Sequence, residues 1–170
     1  MASLMEELLD VLGKEEKQYQ ELITLATEKT DAVVQGNIEH LTDVTTREQD
    51  AASVLLNLSN KRNRVLTDMA TVLGQSPEEM TITKMIGYLN KQPKEQEALT
   101  RQRDRLLEAG AKMQQLNRQN EALLKQALEM VEFDLTLLRS TRQALETANY
   151  DKNAYNTGDI LGSSGFDAKQ

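Results

Sequence analysis

One histidine, His40, and no cysteine leave this chain few groups with which to do chemistry. Without cysteine there is no thiolate nucleophile and no disulfide framework. A single histidine cannot build a two-histidine metal site, and no Glu-x-x-His pair exists for a carboxylate-bridged di-metal bundle. Glu39 precedes His40 directly, so on a helix the two point in different directions and do not form an acid–base pair. His40 is therefore read as a surface or packing residue. No Gly-rich phosphate loop, dinucleotide-binding turn or nucleophile elbow occurs. Gly162-Ser163-Ser164-Gly165 has glycines but no preceding strand, and reads as a flexible segment. Carboxylates are numerous, as in any charged helical protein. The expectation is a protein with no enzymatic activity, no metal and no cofactor.

The balance of charge narrows the partners. A net charge of −7 argues against a general nucleic-acid binder, which presents a basic face, and against a polybasic membrane-surface module. Two local basic runs, Lys61-Arg62-Asn63-Arg64 and Arg101-Gln102-Arg103-Asp104-Arg105, read as solvated helix faces laced with ion pairs. No stretch approaches 18 uninterrupted apolar residues, so no membrane insertion is expected. The acidic start MASLMEELLD lacks the basic-then-apolar order of a secretory signal.

The elements that must position any site are helical. Aromatics make up only 4% of residues and prolines number 2 in 170, a composition of bundles and coiled coils that permits long helices. Ser3 with Glu6 three residues later reads as a capping box opening a first helix. Its stripe is Leu4, Leu8, Val11, Leu12, Tyr19, Leu22, Leu25 and Ala26, and it stops at Gly36. Asn37 is placed to cap a second helix from about Ile38 to Leu73, with a stripe through Leu41, Val44, Ala51 or Ala52, Leu55, Leu58, Val65, Leu66 and Met69, closed by Gly74. So short a junction favours an antiparallel hairpin, the alternative being a sharp bend in one longer rod. Ser76-Pro77-Glu78-Glu79 is another start signal, Thr81 caps a short helix over Lys84 to Asn90, and Pro93 ends it.

From about Lys94 to Ala148 the chain reads as one helix with a seven-residue repeat. One column is Leu99, Leu106, Met113, Asn120, Ala127, Asp134 and Thr141, and it weakens after Met113. A second holds Leu116, Leu123, Met130 and Leu137. A third, Leu124, Val131, Leu138 and Leu145, appears only in the later half. The apolar face thus widens and rotates towards the C-terminal end, where either the thickest core or an additional partner helix is expected. Asn120 falls in the apolar column, where a buried asparagine either fixes register or meets a partner directly. After Ala148 the sequence turns to Gly, Asn, Asp and Ser, with Tyr150, Tyr155, Ile160, Leu161 and Phe166 spaced along it, so the helix is expected to stop and a flexible tail to follow.

The fold class is therefore all-α: an elongated antiparallel helical bundle or coiled coil with one very long C-terminal helix. Residues 1–148 form the helical domain and residues 149–170 the flexible tail.

The layout resembles the FlgN family of flagellar type III export chaperones. The likeness lies first in Leu8-x3-Leu12-x2-Glu15-x3-Tyr19-x2-Leu22 followed by Glu28-Lys29. It continues in Gly36-Asn37-Ile38-Glu39-x-Leu41, with Arg62 further along the second helix. It ends in Asn117-x2-Asn120-x2-Leu123-Leu124 and a helix stopping before Tyr150. Order, spacing and the short helix before Pro93 extend it over nearly the whole chain. The resemblance implies a cytoplasmic chaperone that binds C-terminal segments of hook–filament junction (hook-associated) proteins, keeps them unpolymerised and delivers them to the cytoplasmic domain of the export gate. It implies client contact in the C-terminal part, and gate docking through a tyrosine near the end of the long helix, Tyr150 or Tyr155.

The residues themselves suit that role. An amphipathic helix laid in a groove is read through anchors at i, i+3, i+4 and i+7. Leu124, Val131, Leu138 and Leu145 form such a line, with Met130 as an adaptable contact and Asn120 ahead of it. The competing reading buries the same line against the first helix. A second function from another class is a structural or scaffolding coiled coil that self-associates through this stripe. A chaperone predicts an incomplete apolar groove on a monomer or weak homodimer, whereas a scaffold predicts a stable oligomer.

Overall fold

The computed structural model describes the backbone of residues 1–161 and the side chains of residues 1–148. The architecture is all-α. Helix α1 spans Ala2–Gln35, α2 Ile38–Val72, α3 Ile82–Tyr88 and α4 Pro93–Leu161, with a 3-10 turn at Pro77–Glu79. The chain divides into two compact units, the first Met1–Leu124 and the second beginning at Lys125.

Two glycines shape the first unit. Gly36 adopts φ 65°, ψ 25°, the left-handed conformation that L side chains resist. This turns the chain so that the Gly36 N–H donates to the Val33 carbonyl and the Asn37 N–H to the Ala32 carbonyl, satisfying the last carbonyls of α1. Asn37 then opens α2, its side-chain oxygen accepting from the His40 N–H at 3.0 Å. Gly74, at φ 64°, closes α2 with the same pair of bonds from Gly74 to Thr71 and from Gln75 to Ala70. The start of α1 differs from expectation: the helix begins at Ala2 with Met1 as its uncapped boundary, so Ser3 lies inside the first turn and no capping box forms. Thr81 caps α3 by accepting from the Lys84 N–H at 3.1 Å, and Pro93, instead of merely ending α3, is the first residue of α4. Proline is tolerated there because the first helical N–H has no intrahelical partner to lose.

Cross-helix partners set the directions. Glu7 meets Lys61, Glu15 meets Arg62 and Lys29 meets Glu48, so α2 runs back along α1. On the other side Glu16 meets Gln102, Tyr19 lies beside Gly110, and Ala26 meets Asn120, so α4 runs parallel to α1. A parallel return needs a long connection, which the 3-10 turn and α3 provide. Met5, Leu8 and Leu12, Val65, Leu66 and Met69, Met85 and Leu89, and Leu99 and Leu106 make one core where these elements meet. Leu22, Leu25, Val44 and Ala51 make a second, flanked by Leu55 and Met113. Leu41, expected in the α2 stripe, is not part of either core.

Helix α4 does not stop at Ala148 but continues to Leu161. The residues from Asn149 to Thr157 contain neither proline nor glycine, so nothing there blocks helical backbone angles, and asparagine or aspartate weakens a helix by only about 0.7 kcal/mol each. The rest of the expected tail, 162–170, lies outside the described residues.

Candidate functional site

The first unit spends its polar side chains on its own assembly. Arg62 grips the Glu15 carboxylate with contacts of 3.0 and 3.1 Å and reaches Ser59 Oγ at 3.0 Å. Glu15 is only 1% exposed, and burial pushes its carboxyl above the usual glutamate range against the pull of Arg62. Asn120 is likewise buried between α4 and α1. Its amide donates to the Ala26 carbonyl at 2.8 Å and its oxygen accepts from the Thr30 hydroxyl. With both ends of the amide occupied, Asn120 fixes the position of α4 along α1, the first of the two readings its place in the column allows. His40 sits 4.0 Å from Glu28, whose oxygen is already held by Arg47 at 2.6 Å.

An open cleft of about 610 Å³ is bordered by Tyr19, Arg62, Met80, Arg103, Leu107 and Gly110. No carboxylate or histidine lines it, so it offers no acid–base pair. Among the described residues no group of three or more histidine, aspartate or glutamate side chains is placed to hold a metal ion, and no helix is long and apolar enough to cross a membrane.

The second unit is different in kind. From Leu128 to Ala148 every side chain is exposed. Met130 is 68%, Val131 54%, Leu138 66% and Leu145 62% exposed. The structure thus places these four expected contacts on open surface. Leu124, at the end of the first unit, is half-buried. Three further large residues, Leu128, Phe133 and Leu135, are also exposed and were not singled out by the sequence argument. The available signal was that Leu128 and Leu135 lie four residues after Leu124 and Val131, completing a 4-3 alternation.

At 100° per residue these side chains fall into two stripes on α4. Leu128, Val131, Leu135, Leu138 and Leu145 form one. Met130, Phe133, Leu137 and Ala144 form another, roughly 140° around the helix. The remaining side carries Glu129, Glu132, Thr136, Arg139, Ser140 and Gln143. The hydroxyls of Thr136, Ser140, Thr141 and Thr147 donate to carbonyls of their own helix four residues back, so they make no demand on a partner. The arrangement can do one thing chemically: bury apolar area against another helix, at about 1.5–3 kcal/mol for each large side chain fully covered. Tyr150 and Tyr155 lie on the helical backbone of α4 but outside the residues whose side chains are described.

Compared with known protein families, residues 1–158 match the family described as FlgN protein. No curated protein and no solved structure matches the chain.

Proposed function

Because the chain belongs to the FlgN family of flagellar export chaperones, we propose that it binds C-terminal segments of hook–filament junction proteins in the cytoplasm and hands them to the export gate. The observation that carries this reading is the open apolar face on α4 from Leu128 to Leu145. Contiguous apolar surface of this kind marks an interaction site on a soluble protein. A client segment that forms an amphipathic helix would place its own anchors along Val131, Leu138 and Leu145, with Met130 adapting to its shape. Leu124 would contribute the part of its surface that is not already buried.

Asn120 takes a supporting place in this proposal. Its polar atoms are engaged by Thr30 and Ala26, so it positions the helix that carries the client face. Gate docking is assigned to Tyr150 or Tyr155.

Co-purification with C-terminal segments of hook–filament junction proteins tests the proposal, with Val131→Asp and Leu138→Asp run alongside. The expected result is a stable complex with the unaltered chain, lost in both variants while helicity is kept. No complex with any segment, together with a tight self-associated state, would instead favour the scaffolding coiled coil. Separate Tyr150→Ala and Tyr155→Ala variants, measured for binding to the gate's cytoplasmic domain, are expected to show loss in one of them with client binding intact.

A further inference from the structure

The two apolar stripes on α4 cannot both be served by one partner helix. They stand roughly 140° apart around the helix axis, whereas a packed helix is covered over a stripe about 100° wide. The second stripe is as open as the first: Met130 is 68%, Phe133 67% and Leu137 55% exposed. Between the stripes run Asp134 and Thr141, both exposed. The Thr141 hydroxyl is spent on the Leu137 carbonyl. A single helix centred between the stripes would bury the Asp134 carboxylate, which is costly without a cation beside it. A single helix centred on either stripe leaves the other in water.

Area points the same way. Full cover of a large aliphatic or aromatic side chain removes about 60–120 Å² of apolar surface from water. The large side chains of the first stripe, Leu128 to Leu145, therefore offer about 300–600 Å², short of the about 800 Å² that a standard interface takes from each partner. With Met130, Phe133 and Leu137 added, the total becomes about 500–1,000 Å² and spans that size.

We infer that the client presents two amphipathic helices, one laid along each stripe, so that α4 is clasped between them. The inference rests on the client reading given above and specifies the partner it requires. Packed helices have axes about 8–10 Å apart, so two neighbours set 140° apart around α4 have their own axes about 17 Å from each other. They do not pack tightly together, and Asp134 lies under the gap between them, where water reaches it. The chain that joins them must cross this gap, which takes at least about five extended residues. A tight hairpin, with its own helices only about 8–10 Å apart, seats on one stripe alone. The partner is thus a segment with two amphipathic stretches of about four turns each, separated by a linker of at least about five residues.

The test is calorimetric titration of the full chain with the C-terminal segment of a hook–filament junction protein, and with the two halves of that segment separately. The variants are Leu135→Asp on the first stripe, Leu137→Asp on the second and Gln143→Asp on the polar side. All three side chains are exposed, so circular dichroism is expected to show unchanged helicity. Phe133→Ala, which adds no charge, stands in for Leu137→Asp if that variant loses helix. The whole segment is expected to bind at least about tenfold more weakly to Leu135→Asp and to Leu137→Asp, and to bind Gln143→Asp within about twofold of the parent. Either half alone is expected to bind at least about tenfold more weakly than the whole. If Leu137→Asp binds like the parent while Leu135→Asp does not, or if one half binds as tightly as the whole, a single helix suffices: the inference falls and the client reading stands. If sedimentation shows that the second-stripe variants separate two copies of this chain without weakening the segment, a second copy covers that stripe and the inference falls. If the unaltered chain binds no segment at all, the client reading falls and the inference with it.

Discussion

Asn120 and Glu15 are the polar residues on which the first unit turns. Asn120 is 2% exposed and spans two helices, donating to the Ala26 carbonyl and accepting from Thr30. Asn120→Ala removes both bonds, although the Ala26 carbonyl keeps the Thr30 hydroxyl as a donor, and is expected to destabilise by about 0.5–1.5 kcal/mol for each bond lost, read as a lowered urea midpoint with an unchanged slope. A variant as stable as the parent would show that the Asn120 bonds hold nothing. Glu15 yields a pH prediction of unusual sign for a carboxylate. Its folded pKa is raised above the ordinary 4.5, by burial first, with Arg62 opposing. The folded state therefore keeps the proton to higher pH than the unfolded chain does. The contribution of Glu15 to stability is fully present below 4.5 and is lost as pH rises through the raised value. The stability of the parent relative to Glu15→Gln should fall as pH climbs through that window, and a difference that stays flat or rises sinks the prediction. Asp10 behaves in the opposite way. Its hydrogen bond to Lys14 lowers its pKa, so what it contributes is lost as pH falls.

At the scale of the helix, glycines divide by backbone angle. Gly36 sits at φ 65°, where an added Cβ is strained whatever the room around it. Gly36→Ala is expected to cost about 1–2 kcal/mol. Gly13 lies within α1 with nothing near a new Cβ, and Gly110 within α4 would meet the Tyr19 ring at 3.9 Å, an ordinary contact. Gly13→Ala and Gly110→Ala should each stabilise by about 0.5–1 kcal/mol, because glycine weakens a helix interior. Thermal midpoints of the three variants check the contrast, and a Gly36→Ala protein that melts above the parent would refute it. Positions of this kind were legible beforehand: Gly36, Asn37 and Gly74 act where turn chemistry requires them. Ser3 and Ala148 were not, because helix ends depend on what the neighbouring residues permit, and neither Ala2 nor the proline-free run after Asn149 forbids helical angles.

Across the whole molecule one helix serves two tasks. Before Leu124 its repeat is spent on the first unit, where Leu99, Gln102, Leu106, Ala109 and Asn120 are buried. After Lys125 the same kind of repeat meets solvent. Native-state hydrogen exchange should report this directly. At low protein concentration amides between Leu99 and Asn120 are expected to be protected far more than those between Leu128 and Ala148, where opening breaks no tertiary contact. Equal protection along both segments would mean that the apolar face is already covered. Val131→Asp and Leu138→Asp are expected to change the unfolding free energy from urea titration by no more than about 0.5 kcal/mol, since both side chains are exposed. Loss of helicity in either variant would return these residues to a structural role.

Periodicity alone determined the all-α class and the stripes along the helices, because a 3.6-residue repeat marks which side of a helix is apolar without reference to anything else. It also made the later half of α4 conspicuous. It could not say whether Leu124, Val131, Leu138 and Leu145 bury inward or stay open, since a stripe looks the same whether its partner is α1 or another chain. Nor could it choose between the two readings of Asn120. Only the tertiary structure decided these. It spends α1 and α2 on residues 99–120 of α4, closing Thr30 and Ala26 around Asn120, and leaves the side chains from Leu128 to Ala148 exposed.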